Sequence, residues 1–297
     1  MKENKIKNSF SDYVFDLASI IFCIAILIVV LYPLYFVIIA SFSDPNAVST
    51  GQTLLFPKGI TLDGYKELLN HKNIWIGYRN TIFYTLIGTF ISLSVNISAA
   101  YALSRKDLVG RKYIAIFYVF TMFFNGGLIP TFMTIQQFGL YDTFWVMILP
   151  FSVFVYDIVV ARTFFQTSIP DELLDAAQVD GCGNLRFFLT MVLPLAKPIL
   201  AVLGLWAAVG IWNSYFNALI YLRNSELFPL QLVLRNILIT NQMQSSLGTG
   251  EAAQLALRTA NIMKYAVIVI STVPIMCVYP FTQKHFNKGF MSGALKG

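Results

Sequence analysis

The sequence predicts an all-α, polytopic membrane protein with six transmembrane helices. Two observations carry that prediction. Of 297 residues, 57% are hydrophobic and only 12% are charged, with a mean hydropathy of +0.65; soluble domains carry about 25% charged residues. The apolar residues also fall in six runs of about 20, the length needed to cross a bilayer. These are residues 18–40, 81–103, 113–135, 144–165, 199–222 and 262–281. Backbone polar groups cannot be left open to lipid, so runs of this length are expected as helices. The composition excludes a disordered chain and speaks against a soluble enzyme.

The first run follows Lys2, Lys5 and Lys7, as a signal peptide would. It is too long for a signal h-region and no A-x-A site follows, so it reads as an uncleaved first helix. The net charge of +6 and pI near 9.1 are read as the Lys/Arg excess of cytoplasmic loops, not as a nucleic-acid surface. Arg105, Lys106, Arg111 and Lys112 crowd the short loop after the second run, and Lys284, Lys288 and Lys296 mark the C-terminus. Both termini, the 104–112 loop and the segment 166–198 are therefore expected in the cytoplasm. Segments 41–80, 136–143 and 223–261 are expected outside. Cys23, Cys182 and Cys277 are too few and scattered for a disulfide framework, and His71 and His285 are the only histidines. No metal site is expected.

Residues 166–198 form the most polar part of the predicted inner face. Ser168, Pro170, Asp171 and Glu172 make a helix start, with a cap candidate, a proline in the first turn and acids at the positive dipole end. Leu173, Leu174, Ala177 and Gln178 follow at helical spacing, and Gly181 ends the helix as a C′ glycine. A second short helix over about 184–191 is expected to stop at Pro194 and Pro198. Ala176 and Ala177 are expected to offer a flat patch to a partner.

Asp175-Ala176-Ala177, then Gly181 three residues on, then Leu193-Pro194 resembles the EAA signature of ABC importer permeases. That signature reads Glu-Ala-Ala, three residues, Gly, nine residues, Ile, any residue, Leu-Pro. Met191 stands at the isoleucine position and Asp175 replaces Glu, which keeps the acid. Asp180-Gly181, Leu193-Pro194-Leu195, Pro198, Trp212-Asn213 and the tail with Lys288-Gly289 and Lys296-Gly297 are similar to the carbohydrate-uptake branch, within a type I importer fold. The stretch Phe124-Asn125-Gly126-Gly127-Leu128-Ile129-Pro130 suggests the second permease subunit of maltose-like importers, in the subgroup for polysaccharide-derived oligosaccharides. The resemblance covers essentially the whole chain.

The resemblance implies that 166–198 is a coupling element set on an ATPase through Glu172, Asp175, Ala176, Ala177, Asp180, Gly181, Leu193 and Pro194. It implies a heterodimer with a homologous second permease subunit, two ATP-binding subunits, and an extracellular or periplasmic solute-binding protein, in a bacterial cell (inner) membrane. No G-x-x-x-x-G-K-[ST] loop is present, so ATP and Mg are expected on the partner ATPase, with no cofactor on this chain. No catalytic residue is expected. The bland alternative is a chance match to common residues. Its siting in the one large inner loop, between the fourth and fifth of six runs, favours the signature.

Polar residues inside the runs have two readings. Asp157 is either the polar wall of a path or a hydrogen-bonding partner of a neighbouring helix. Asn213, Tyr215 and Asn217 suit a sugar's hydroxyls and C–H faces, and equally suit interhelical hydrogen bonds. Asn125, with Gly126 and Gly127, marks a helix irregularity at a path or close packing, while Asn96 reads as packing. In the segment 240–251, Asn241, Gln242, Gln244 and Gly248 are candidate contacts for the binding protein; a solvated linker is the alternative. A non-sugar ABC permease, a stand-alone secondary transporter and a membrane enzyme are the competing functions. No convincing internal repeat supports the second. No cluster of acids, histidines or a nucleophile supports the third.

Overall fold

The computed structural model describes residues 10–247, 261 and 263–277. They form two compact units, one from residues up to Asn70 together with Leu238–Ile270, the other from His71–Ile237 together with those from Ser271 onward. No strand is present among the described residues.

In the first unit, α1 (Phe10–Ser41) is a single 32-residue helix whose side chains are exposed along almost its whole length. An apolar surface that no protein covers suits lipid. Two tyrosines of its last turns reach the following segment: Tyr32 Oη donates to the Leu54 carbonyl at 3.3 Å and Tyr35 Oη to that of Leu55. The short α2 (Pro45–Ser49) is capped by Asp44, whose Oδ1 accepts from Asn46 N at 2.8 Å. In α3 (Asp63–Asn70), Tyr65 donates to Ser41 Oγ at 2.7 Å and stacks on Phe42.

In the second unit, α4 (Lys72–Ser104) is the axis: 33 residues, about 50 Å at 1.5 Å per residue, longer than the hydrocarbon core. Around it stand α5 (Arg111–Phe123), α6 (Leu128–Gln137), α7 (Val155–Ser168), α8 (Asp171–Val179), α9 (Asn184–Phe187), α10 (Leu193–Leu195), α11 (Lys197–Trp212), α12 (Phe216–Tyr221) and the first turns of α13 (Leu230–Leu247). Short 3₁₀ turns lie at Phe144–Met147, Leu149–Phe151 and Ser225–Leu227. Helix α14 (Met263–Cys277) closes the described chain. Close approach along α4 rests on small residues, the usual device for helices in lipid. A Cβ on Gly88 would lie 2.8 Å from Ile211, and one on Gly204 3.3 Å from Leu93, so α11 runs antiparallel to α4.

Two apolar cores sit at the two ends of α4. One gathers Ile97, Ala100 and Leu103 with Ile158 and Phe165 of α7, Ala177, Phe187 and Val192. The other gathers Tyr84 with Ile135, Val146, Met147, Ala218, Tyr221 and Leu232.

The six runs are not all continuous helices. Among the described residues, α1 and α4 are the single helices long and apolar enough to cross a membrane, and bent pairs raise the count to at most five. The third run breaks between α5 and α6 with a bend of 114°, the fourth between Phe151 and Val155 with a bend of 50°, and the fifth at residues 213–215 between α11 and α12. The sixth is described as far as Cys277. Three local readings change as well. Ser168 ends α7 instead of capping α8, whose N-cap is Pro170. Pro194 does not stop the helix begun at Asn184: a π-helical stretch, Phe188–Val192, carries the chain past it. Proline removes an N–H and crowds the preceding turn, and the wider π turn absorbs that misfit. The segment after Arg223 is not a solvated linker throughout, because α13 starts at Leu230 with Leu230, Leu232, Val233 and Leu234 buried.

Candidate functional site

The EAA-like stretch folds as a short helix with a defined stop. Cys182 N donates to the Ala177 carbonyl at 2.8 Å and Gly181 N to that of Gln178 at 3.0 Å. With Gly181 at φ +69 this is a Schellman motif, which places C′ in the left-handed region where glycine is least strained. The chain then turns into α9. Glu172, Asp175, Ala176, Asp180, Gly181 and Pro194 are exposed, and Leu193 is half-buried. Ala177 is the exception. It is 2% exposed and packs into the core at the C-terminal end of α4, so the expectation that both alanines form an outward patch holds for Ala176 alone. Buried Ala177 and half-buried Leu174 fix α8 to the protein while most of the helix faces out, with Val179 and Leu185 the most exposed apolar side chains of the segment.

The C-terminal end of α4 reaches this segment by a network that sequence spacing did not reveal. The Tyr101 ring stacks on Phe188 at 4.8 Å and meets Phe165 edge-on. Arg105 donates to both carboxylate oxygens of Asp107, at 2.8 and 2.7 Å, and to Tyr101 Oη at 3.1 Å. The fork holds the Asp107 carboxyl below the usual carboxylate range. Lys106 pairs with Asp171 in the first turn of α8, which raises the lysine's pKa through that hydrogen bond. A cleft of about 720 Å³ lies between these elements, lined by Arg105, Lys106, Asp171, Asp175 and Gln178 among others. The basic loop was legible as a topology signal; its pairing with Asp171, 65 positions away, was not.

The expected path residues fall at or near the helix breaks. Gly127, with φ 80 and ψ −178, adopts a conformation nearly reserved for glycine. Asn125 is exposed and its Oδ1 accepts from Gly127 N at 3.0 Å. Asn213 caps the end of α11, and its Nδ2 donates at 2.9 Å to the Val209 carbonyl, which also accepts from the Asn213 backbone N–H at 3.1 Å. Tyr215 is exposed and Asn217 half-buried. Ile211 lies against Gly88, the middle residue of α4, so this break stands near half-depth of the longest helix. Asp157 is 7% exposed in the first turn of α7. Among the described residues no hydrogen bond or ion pair joins it to the other four, and burial removes it from any open surface. Asn96, read as packing, does more: its Nδ2 donates to the Ser152 carbonyl at 3.0 Å and its Oδ1 accepts from Phe154 N at 3.0 Å. It closes the break in the fourth run.

Sequence reasoning missed the start of α13. Gln231 Nε2 reaches Asn213 Oδ1 at 3.4 Å, and the Arg235 guanidinium stands 5.8 Å from the Tyr215 ring centre. The i, i+4 spacing after Pro229 and the buried leucines between them were the available signal. Asn241, Gln242 and Gln244 lie within α13. Their side chains, Gly248 and the tail from residue 278 lie outside the described residues. No group of three or more His, Cys, Asp or Glu among the described residues is placed to hold a metal.

No protein-family model matches the chain. It is 38% identical over 287 residues to the polygalacturonan/rhamnogalacturonan transport system permease protein YtcP of Bacillus subtilis, covering 95% of this chain and 98% of that one. It is 37% identical over 290 residues to the protein LplC of the same organism, covering 98% and 97%. The chain belongs to the ABC importer permeases of the carbohydrate-uptake branch. A maltodextrin permease of B. subtilis, MdxG, is 27% identical across 95% of this chain. A solved bacterial ABC transporter involved in the import of the acidic polysaccharide alginate has a chain that superposes with a TM-score of 0.85 at 34% identity, covering 95% of this chain and all of that one. As a permease the protein is an integral membrane subunit and is not an enzyme: in this family ATP is hydrolysed by separate subunits, and a partner permease and a solute-binding protein complete the importer.

Proposed function

We propose that this permease forms half of the path of an oligosaccharide importer and that its segment 166–198 is the docking element for the ATPase. The observation that carries the proposal is α8: a largely exposed helix ended by a left-handed glycine, held at the end of the long α4 by buried Ala177, half-buried Leu174 and one ion pair. A lever of this form can be moved as a rigid body by a partner. Asp175 and Ala176 face outward to meet an ATPase cleft, and Val179 and Leu185 supply apolar contact. ATP and Mg are bound by that subunit, and this chain binds no cofactor. Six spans with both termini in the cytoplasm of a bacterial cell put α8 on the inner face.

Asn125, Asn213, Tyr215 and Asn217 line the path, at breaks where irregular backbone meets a water-filled route. Asp157 acts from a buried position behind it. The outward part of α13, including Asn241, Gln242 and Gln244, and Gly248 beyond it, meets the binding protein. An oligosaccharide cargo is supported by the polygalacturonan/rhamnogalacturonan and maltodextrin systems among the relatives and by the alginate importer. Two of these three carry uronic acids, which favours an acidic cargo. Affinity purification of this chain from its own membranes should bring down a homologous permease and an ATPase. Substrate-specific uptake by this chain alone, in a strain without ABC partners, would overturn the reading.

A further inference from the structure

Three arginines of the second unit, Arg79, Arg223 and Arg235, have no carboxylate within salt-bridge reach among the described residues. Arg79 donates to Asn80 Oδ1 at 3.2 Å and Arg223 stands over Tyr141 at 5.7 Å. Arg235 lies over Tyr215. Of the two nearby acids, Asp142 is committed to backbone, its Oδ1 accepting from Arg223 N at 2.8 Å and Asn224 N at 2.9 Å. Glu226 forms no ion pair with any of the three; its main-chain carbonyl accepts from Asn80 and Arg79, and its main-chain N–H donates to Asn224 Oδ1.

Arg235 is the member of this group at the break in the fifth run. Gln231, one turn before it on the same face of α13, reaches Asn213, and the Tyr215 ring completes the set. The four groups offer a guanidinium, two carboxamides and an aromatic face. Guanidinium binds carboxylate through paired N–H donors, amides bind hydroxyls, and an aromatic face takes a sugar's C–H surface. We propose that Arg235 with Gln231, Asn213 and Tyr215 is a site that selects a sugar bearing a carboxylate, a uronate residue of the cargo, as it enters the path. The site rests on the oligosaccharide reading above and narrows it. The carboxylate meets Arg235, the ring hydroxyls of the same residue meet Asn213 and Gln231, and Tyr215 leaves its stacking on Arg235 to pack on the sugar or holds the guanidinium in place by that stacking.

The test uses the complete importer, purified through this chain and reconstituted in vesicles with its own binding protein at saturating concentration. The probes are trigalacturonate and the same trisaccharide with its carboxyls reduced to hydroxymethyl groups. The binding protein's own preference is the same for every variant and cancels in the ratio to wild type. R235Q should lower uptake of trigalacturonate about tenfold, the worth of one charge-assisted hydrogen bond. R235Q should leave uptake of the reduced sugar, docking of the binding protein and retention of the ATPase unchanged, and R235K should restore most of the loss. Equal effects on both sugars, or equal losses in R235Q and R235K, would overturn the site, as would weakened docking, which would assign Arg235 to the binding protein's surface. If the reduced sugar is not carried, the contrast between R235Q and R235K on trigalacturonate alone decides. Wild-type vesicles that carry neither sugar defeat the acidic-oligosaccharide reading itself, whereas normal trigalacturonate uptake by R235Q defeats only the assignment of Arg235.

Discussion

The two ends of α4 are held to their neighbours by different chemistry. At the N-terminal end, side chains grip main chain. Asn80 donates to the carbonyls of Glu226 and Phe228 at 2.7 and 3.1 Å, Tyr84 to that of Leu227 at 2.8 Å, and Thr81 Oγ1 accepts from Leu230 N at 2.8 Å. Gly77 lets the backbone of Leu230 come so near that a Cβ would lie 2.9 Å from its Cα. At the C-terminal end nothing of this kind binds α8. A buried alanine, a half-buried leucine, a stacked tyrosine and an exposed lysine–aspartate pair do the holding. Sheltered hydrogen bonds to backbone fix register and leave an unpaired group when broken, whereas exposed ion pairs contribute little. The first end is a frame and the second a joint. That asymmetry suits the proposed role, in which one end moves with an ATPase while the other keeps its register.

The largest effect is expected from Gly181→Val. No atom lies within 4 Å of a Cβ placed there, so the penalty is conformational: a β-branched residue at φ +69 costs about 1 kcal/mol or more and breaks the Schellman stop. The protein should stay in the membrane while binding-protein-stimulated ATP hydrolysis in vesicles and ATPase retention on washing are both lost; Gly181→Asn should keep most of each. Wild-type values for Val would make the segment an ordinary surface loop. Next come Asn80→Ala and Tyr84→Phe, expected to cost about 1 kcal/mol each by removing hydrogen bonds to part-buried carbonyls. Thermal unfolding in detergent should fall by several degrees, and unchanged melting would remove the frame from the comparison. Asn213→Ala and Tyr215→Ala should slow uptake several-fold with the ATPase still bound; normal transport by both would make them packing residues. The smallest effect belongs to the joint. Lys106→Ala should leave melting unchanged, Lys106→Glu should weaken stimulated hydrolysis, and adding Asp171→Lys should restore it.

Much of the frame and the joint was legible in the sequence, and the misses have a common cause. The runs, the EAA-like spacing and the positive φ at Gly181 were readable because each is local: composition, period and a single breaker. Asn125-Gly126-Gly127 announced its break for the same reason. Ala177 was assigned to the wrong face because two adjacent alanines give no moment to say which one is buried; only the position of α4 decides. The break beside Phe154 and the roles of Asn96, Asn80 and Lys106 depend on partners more than 50 positions away. The start of α13 was hidden because a polar stretch following it coloured the whole segment as linker.

The amide of Asn96 also sets an order of events during synthesis. The backbone it satisfies, at Ser152 and Phe154, emerges more than fifty residues after it, and lipid offers those groups no substitute partner. The fourth run can therefore leave the insertion machinery in its broken form only beside an α4 that is already seated, as a template waits for its copy. An Asn96→Leu chain keeps its helix and makes the second run more apolar still, yet its nascent fourth run meets no template. The expected result is a protein lost to membrane proteases during biogenesis, with the few molecules that do assemble transporting normally.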